Sequence, residues 1–351
     1  MGERLRARSR SGFRHSRRLR RDRRGVVAVI GTLLSLLVFF ALFGVFLTQY
    51  VPLWMTQNES QLANGLVGSL ATLKSGVDDQ YLLGDIPSYS VPFTVSSQSV
   101  PLFAQPTVAT LAYLAGCTSG FSASGTPVTI ASCVFQSVAY TDPALSGDPT
   151  PHGYGSTAPT NYLAVSVPNR YYPPVGYYFE NDGVLGISST VHQWMVLPPP
   201  INVSKTTGNL SIQTSQLVLL GNASSFTSVG SKEVSSHLLA RSQVSSVGRF
   251  LTASDAARAF TFTMTMGVYG LCGWYNYLEN TTAAALGSPG ASHGWWLNIT
   301  SSAGSVTPPL SQATCIAAAS STYDLKLTVL SVNYAVSFVA EASLSFNAGG
   351  L

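Results

Sequence analysis

The sequence predicts an α+β protein: one long N-terminal transmembrane, pilin-length helix, followed by a mainly antiparallel β-sandwich head of one or two lobes. Three observations carry that prediction. Val26–Leu47 is an uncharged apolar run. Leu62, Leu66, Leu70, Leu73 and Val77 recur at helical spacing. Beyond residue 80, short segments alternate apolar and polar residues with period two. The chain therefore divides into a basic leader (1–25), a membrane helix (26–47), an amphipathic extension (48–80), a first β-rich lobe (81–200) and a second (201–351).

The apolar run has Thr32 and Ser35 as its only polar side chains. As a helix it is roughly 33 Å long, enough to cross a hydrocarbon layer of about 30 Å. Core helices of soluble domains rarely carry more than about 14 wholly apolar residues in a row. Residues 1–24 hold eleven arginines against Glu3 and Asp22, whereas the rest of the chain is acidic, so the overall charge of +4 conceals two halves of opposite sign. Cationic residues flanking a span stay on the cytoplasmic side. The expected topology is single-pass, with the N-terminus in the cytoplasm, membrane lipid as partner, and everything after about residue 50 outside the cell. The arginine run has one aromatic, Phe13, and no folded region beside it, so no nucleic-acid partner is expected.

The run ends at Leu47-Thr48-Gln49-Tyr50-Val51-Pro52-Leu53-Trp54, with no small-x-small site of the kind that closes a secretory signal peptide. Tyr50 and Trp54 suit the outer membrane–water interface. Pro52 is expected to start or kink the next helical segment. That segment places its leucines on one face and Glu59, Gln61, Asn64, Lys74 and Asp78 on the other, which reads as solvated.

In the head, Ser211–Leu220 ends at Gly221-Asn222, a strand followed by a turn. Phe260–Met266, Leu325–Val329, Val336–Val339 and Ala342–Phe346 also read as strands. Ser235–Phe250 is compatible with a short helix or two strands. The run Leu197-Pro198-Pro199-Pro200 reads as a hinge.

Cys117, Cys133, Cys272 and Cys315 form an even set with no CxxC pair, which favours disulfides in an exported domain. Of three pairings, Cys117–Cys133 with Cys272–Cys315 is favoured because each closes a loop within one half of the chain. Six glycosylation sequons, at Asn58, Asn202, Asn209, Asn222, Asn280 and Asn298, all follow the span.

Several motifs of common enzymes are missing: no HExxH, P-loop or G-x-G-x-x-G occurs. His152, His192, His237 and His293 are too far apart for local metal spacing. Asp78-Asp79 reads as a solvated helix end. Glu180 and Asp182 flank a turn; the turn reading outweighs a glycosidase or calcium site. Aromatics at Tyr171–Phe179 and Trp295-Trp296 read as sandwich core before they read as sugar platforms. The expectation is a non-enzyme with no catalytic residue, metal or cofactor.

Arg24-Gly25-Val26, followed by Val27-Ala28-Val29-Ile30-Gly31-Thr32-Leu33-Leu34, resembles the class III leader of archaeal type IV pilins, where a prepilin peptidase cuts after a small residue preceded by Lys or Arg. Ile30 stands where bacterial-type pilins carry Glu. In the head, Asn169-Arg170-Tyr171-Tyr172, Tyr177–Leu185, Met195 with the prolines, and Gly208–Ile212 leading to Leu219–Asn222 are similar to a pattern of archaeal pilin-like surface proteins. The resemblance implies cleavage between Gly25 and Val26, a homo-oligomer built through the N-terminal helix, and dependence on pilus assembly machinery. It also implies a place in a surface filament, with adhesion through the head. The alternative is a non-polymerising, membrane-anchored surface or envelope protein with a ligand- or carbohydrate-binding head.

Overall fold

The computed structural model describes residues 12–84, 88–100, 104–115, 117–121, 127–130, 135–137, 139–140, 152–153, 160–188, 193–207, 209–247, 259–290, 292–301, 304–306, 322–330, 332 and 334–347. For 12–25, 117–121, 127–130, 135–137, 139–140, 152–153, 242–247, 259, 267–269, 301, 304–306, 322, 334–337 and 347 the description is of the backbone alone.

The helical rod comprises α1 (Gly12–Val45), a π-helical segment (Phe46–Tyr50) and α2 (Val51–Leu83), running on without a break. Val26–Leu83 contains a stretch long and apolar enough to cross a membrane. Pro52 sits in the first turn of α2. It has no N–H for the carbonyl four residues back, and its ring would crowd that carbonyl. The chain meets this just upstream by widening: the Val51 N–H bonds to the Phe46 carbonyl, five residues back. Thr48 Oγ1 also donates to the Gly44 carbonyl at 2.9 Å. The proline thus marks a change of helix type within one rod. At the far end Gly84, at φ 71°, supplies the left-handed residue that closes α2, its N–H bonding to the Gln80 carbonyl.

The strands follow in chain order. First come β1 (Ser88–Thr94), β2 (Thr110–Ala115), β3 (Cys117–Phe121), β4 (Pro127–Ile130), β5 (Phe135–Ser137), β6 (Ala139–Tyr140) and β7 (His152–Gly153). Next are β8 (Asn161–Val167), β9 (Val175–Glu180), β10 (Gly183–Ser188), β11 (Gln193–Leu197), β12 (Asn202–Thr206), β13 (Asn209–Leu220), β14 (Ser224–Thr227), β15 (Ser231–Val247) and β16 (Ala259–Gly267). Helix α3 (Val268–Leu286) precedes β17 (Trp295–Ser301), β18 (Gly304–Val306), β19 (Thr322–Leu330) and β20 (Tyr334–Asn347).

Three larger sheets result, in the orders β1-β15-β20-β13-β12, β11-β10-β9-β8-β2-β14 and β18-β17-β19-β16-β5, each drawing strands from both sides of residue 200. Pairing is antiparallel throughout the described ladders except between β13 and β20. The leucine face of α2 forms one core with residues of the first two sheets. The middle sheet is buried on both faces, with period two. Leu163, Val165, Tyr177, Phe179 and Val184 join the α2 core, while Tyr162, Ala164, Tyr178, Leu185 and Ile187 join a second core with α3 and the third sheet.

Of the undecided stretch 235–250, residues 235–247 belong to one strand, β15, which pairs with both β1 and β20, and 248–250 lie outside the described residues. A register shift between Leu238 and Ala240 accompanies an exposed Leu239. Val336–Val339 and Ala342–Phe346 lie in a single strand, β20. Helix α3 was not expected. Its signal is the buried series Leu271, Trp274, Tyr275, Leu278, Thr282 and Leu286, which has helical period. Two glycines in it dilute helix propensity, and they serve packing: a Cβ on Gly273 would stand 2.6 Å from Leu185 Cδ2. The proline run is pinned at Pro199, whose carbonyl accepts from Tyr277 Oη at 2.8 Å.

Candidate functional site

The densest set of buried polar groups among the described residues lies where α2 meets the head. It begins with Glu59, the only charged residue between Gly25 and Leu73. Helical spacing put Glu59, Lys74 and Asp78 on the solvated face of α2. That expectation holds for Gln61 and Asn64, which are exposed, and fails for the three charged residues. Glu59 is 0% exposed. Its Oε1 accepts from Thr107 Oγ1 at 2.5 Å and the Arg170 N–H at 3.0 Å; its Oε2 accepts from the Tyr171 and Tyr172 N–H groups at 2.8 and 2.7 Å. Burial by itself would raise the carboxyl's pKa; these four hydrogen bonds together outweigh it and hold the pKa below the usual value. The loop Asn169–Pro174 between β8 and β9 is therefore wrapped around a helix-borne anion.

About four turns up the helix, Lys74 Nζ donates to Asp78 Oδ2 at 2.8 Å and to Asp182 Oδ1 at 3.1 Å. Asp182 occupies the β9–β10 hairpin turn. Asn181 and Asp182 have φ of 45° and 61°, as a two-residue turn of the primed type requires. Both are buried, so this hairpin tip is inserted into the protein rather than offered to solvent. Asn181 Oδ1 accepts from the Leu217 N–H, and Ser215 Oγ donates to Asp182 Oδ2, each at 3.3 Å. Burial, then repulsion from Asp78, push the Asp182 carboxyl up to about 8 against the opposing pull of Lys74. Lys74 is raised: burial disfavours its charge, but Asp182 and Asp78 more than compensate. A cavity of about 10 Å³, room for one water, is lined by Asp78, Tyr81, Asp182, Ser215 and Gln216. The buried Tyr81 Oη has no hydrogen-bond partner, and burial drives its pKa up. Two residues after Asp78, Gln80 Oε1 accepts from Ser236 Oγ at 2.7 Å, and Gln80 Nε2 donates to the Ser236 carbonyl.

Glu180 is also buried, and its Oε1 accepts from Trp274 Nε1 of α3 at 3.1 Å. The two carboxylates flanking the turn are thus held by different elements, α2 and α3. No group of three or more His, Cys, Asp or Glu poised to hold a metal occurs among the described residues. What this arrangement does is mechanical: it fixes the rod to the head with anions and a cation that cannot be resolvated without opening the core.

The remaining candidates are scattered. Asn202, Asn209, Asn222, Asn280 and Asn298 are exposed on strands, a turn and α3. Asn58 is half-buried, its Nδ2 donating to the Gln98 carbonyl at 3.1 Å. Cys272, on α3, is disulfide-bonded. The sulfurs of Cys117, Cys133 and Cys315 lie outside the described residues, so the favoured pairing stays open. The backbone of Arg24, Gly25 and Val26 is helical within α1, and Val26 is exposed. His152 and His192 have no described side chain; His237 lies on β15 and His293 beside Ser292. Tyr177, Tyr178, Phe179 and Trp295 are core residues, leaving Tyr171 and Trp194 as the exposed head aromatics among the described residues. Sequence reasoning missed the roles of Glu59 and Lys74. One signal was available: a single acidic residue in a helix otherwise free of charge from Val26 to Leu73. No protein-family model, curated protein or solved structure matches this chain.

Proposed function

We propose that this protein is a structural cell-surface subunit of the type IV pilin kind, inserted in the cell membrane with its N-terminus in the cytoplasm and its glycosylated head outside. The observation that carries the reading is the division of labour along one helix. Every residue from Val26 to Leu42 is exposed, while α2 buries its apolar face in the head core. An apolar rod held rigidly by its own head is stable in lipid and equally stable against copies of itself. Cleavage by a prepilin peptidase after Gly25 removes the arginines that oppose extraction from the bilayer. Assembly machinery can then stack the rods into a filament, and the exposed head surface, with five sequons, mediates adhesion. The protein catalyses nothing in this reading.

The test is N-terminal sequencing of the intact protein, sheared from cells or extracted from their membranes with detergent. A start at Val26 supports the pilin reading. A retained Met1 leader on the intact membrane-extracted protein overturns it in favour of a permanent, non-polymerising anchor.

A further inference from the structure

We propose that the head rests directly on the phospholipid headgroup layer through a collar formed by residues 95–100 and 104–109 and by the Asn169–Pro174 loop, with Arg170 and Tyr171 as its lipid contacts. The inference rests on the membrane insertion proposed above and adds a partner for the head itself.

The collar is located by counting along the rod. Leu47 ends the apolar run. Val51, four residues on, is about 6 Å farther along the axis, and Thr56 about 13 Å. A headgroup layer occupies roughly the first 5–8 Å beyond the hydrocarbon on each side. Val51 is already covered at that level, and Met55 about 6 Å above it, in a small core with Val100, Ala104 and Phe46. Thr56 Oγ1 donates to the Tyr171 carbonyl at 3.3 Å, which sets the backbone of the second loop about 5 Å above that layer, within reach of a long side chain. On the rod beside them, Phe46 packs on Tyr50 and Trp54, each with ring centroids 5.9 Å away, an aromatic ladder suited to the interface.

The chemistry of the second loop fits the same layer. Its sequence from Pro168 is Pro-Asn-Arg-Tyr-Tyr-Pro-Pro, and Arg170, Tyr171, Pro173 and Pro174 are exposed. The N–H groups of Arg170, Tyr171 and Tyr172 are spent on Glu59. That masks the acidic residue of the rod nearest the headgroups, about 10 Å above them, and leaves the exposed Arg170 to meet phosphate. Burying Glu59 therefore serves two ends, since a solvated carboxylate here would repel an anionic surface.

The experiment places photoreactive benzoylphenylalanine at Leu37, Tyr171 or Leu239 of the full-length chain. Each protein is reconstituted in phosphatidylcholine–phosphatidylglycerol vesicles, irradiated and examined by mass spectrometry. Leu239 serves as the distal control, because Arg241 beside it bonds the Tyr81 carbonyl at the far end of α2. Lipid adducts at Leu37 and Tyr171 but not at Leu239 are expected. Arg170→Ala should lower the adduct yield at Tyr171 by up to about fivefold, the worth of one cation at an anionic surface. Adducts at Leu37 alone overturn the collar and leave membrane insertion intact. A protein–protein adduct at Tyr171 overturns it in favour of a second copy. Failure at Leu37 overturns insertion and the collar together.

Discussion

The two halves of the rod differ in what surrounds them far more than in what they are made of. Both are helical and rich in Leu, Val, Ala and Gly, and the lower half is the more apolar. Yet Val26–Leu42 is exposed at every residue, whereas α2 has Leu66, Leu70 and Leu73 at 0–1% exposure. Apolar character alone did not decide which half the head would bury. The upper half presents one apolar face matched to two sheets and carries Glu59, Lys74 and Gln80, which find polar partners there. The lower half is apolar on all sides and has nothing to register against. Uniform greasiness suits lipid or identical rods; a mixed surface suits one particular partner.

The largest expected effect tests that contrast directly. Leu70→Ala should destabilise the head by about 3–4 kcal/mol, because it opens a cavity between two sheets. Leu37→Ala should change head stability by less than about 0.5 kcal/mol. Chemical denaturation of both variants in the same detergent, followed by the fluorescence of buried Trp274 and Trp295, measures the difference. Equal losses would show that the halves are not energetically distinct.

Glu59→Gln comes next. It leaves hydrogen-bond donors of the Asn169–Pro174 loop facing a neutral amide with one acceptor, and should cost about 2–3 kcal/mol. Local hydrogen exchange at Arg170, Tyr171 and Tyr172 should rise with it. Unchanged protection at those three amides would mean that the loop holds its shape without the carboxylate.

The smallest step, taken one pH unit at a time, concerns protonation. The Asp182 carboxyl is raised from 3.8 to about 8 in the folded protein, so the folded state binds its proton more tightly than the unfolded chain does. Its contribution is fully present below about pH 4 and is lost as the pH rises through 8, at no more than about 1.4 kcal/mol per pH unit. Glu59 works in the opposite sense, because its lowered pKa contributes stability that is lost as the medium becomes acidic. Asp182→Asn should abolish the decline between pH 4 and 8 while sparing the acid limb. A melting-temperature profile identical to wild type across that range would remove Asp182 from the account.

The rod, the helical face built on Leu62, Leu66, Leu70, Leu73 and Val77, and strands such as Phe260–Met266 were determined by the sequence itself. Each is a periodicity within a short window, and neighbouring residues suffice to produce it. Helix α3 was half-legible: its period is present, but its glycines, chosen for close approach to Leu185, weakened the local signal. The tertiary structure alone decided that Glu59, Lys74 and Asp182 are buried partners rather than solvated charges. Thr107 lies 48 residues from Glu59, and the loop amides lie 111 to 113 residues away. A carboxylate in an isolated helix has water as its best partner. Only after the β8–β9 loop has been brought back onto the helix does a ring of N–H groups compete with solvent, and no window of local sequence contains that loop and that helix together.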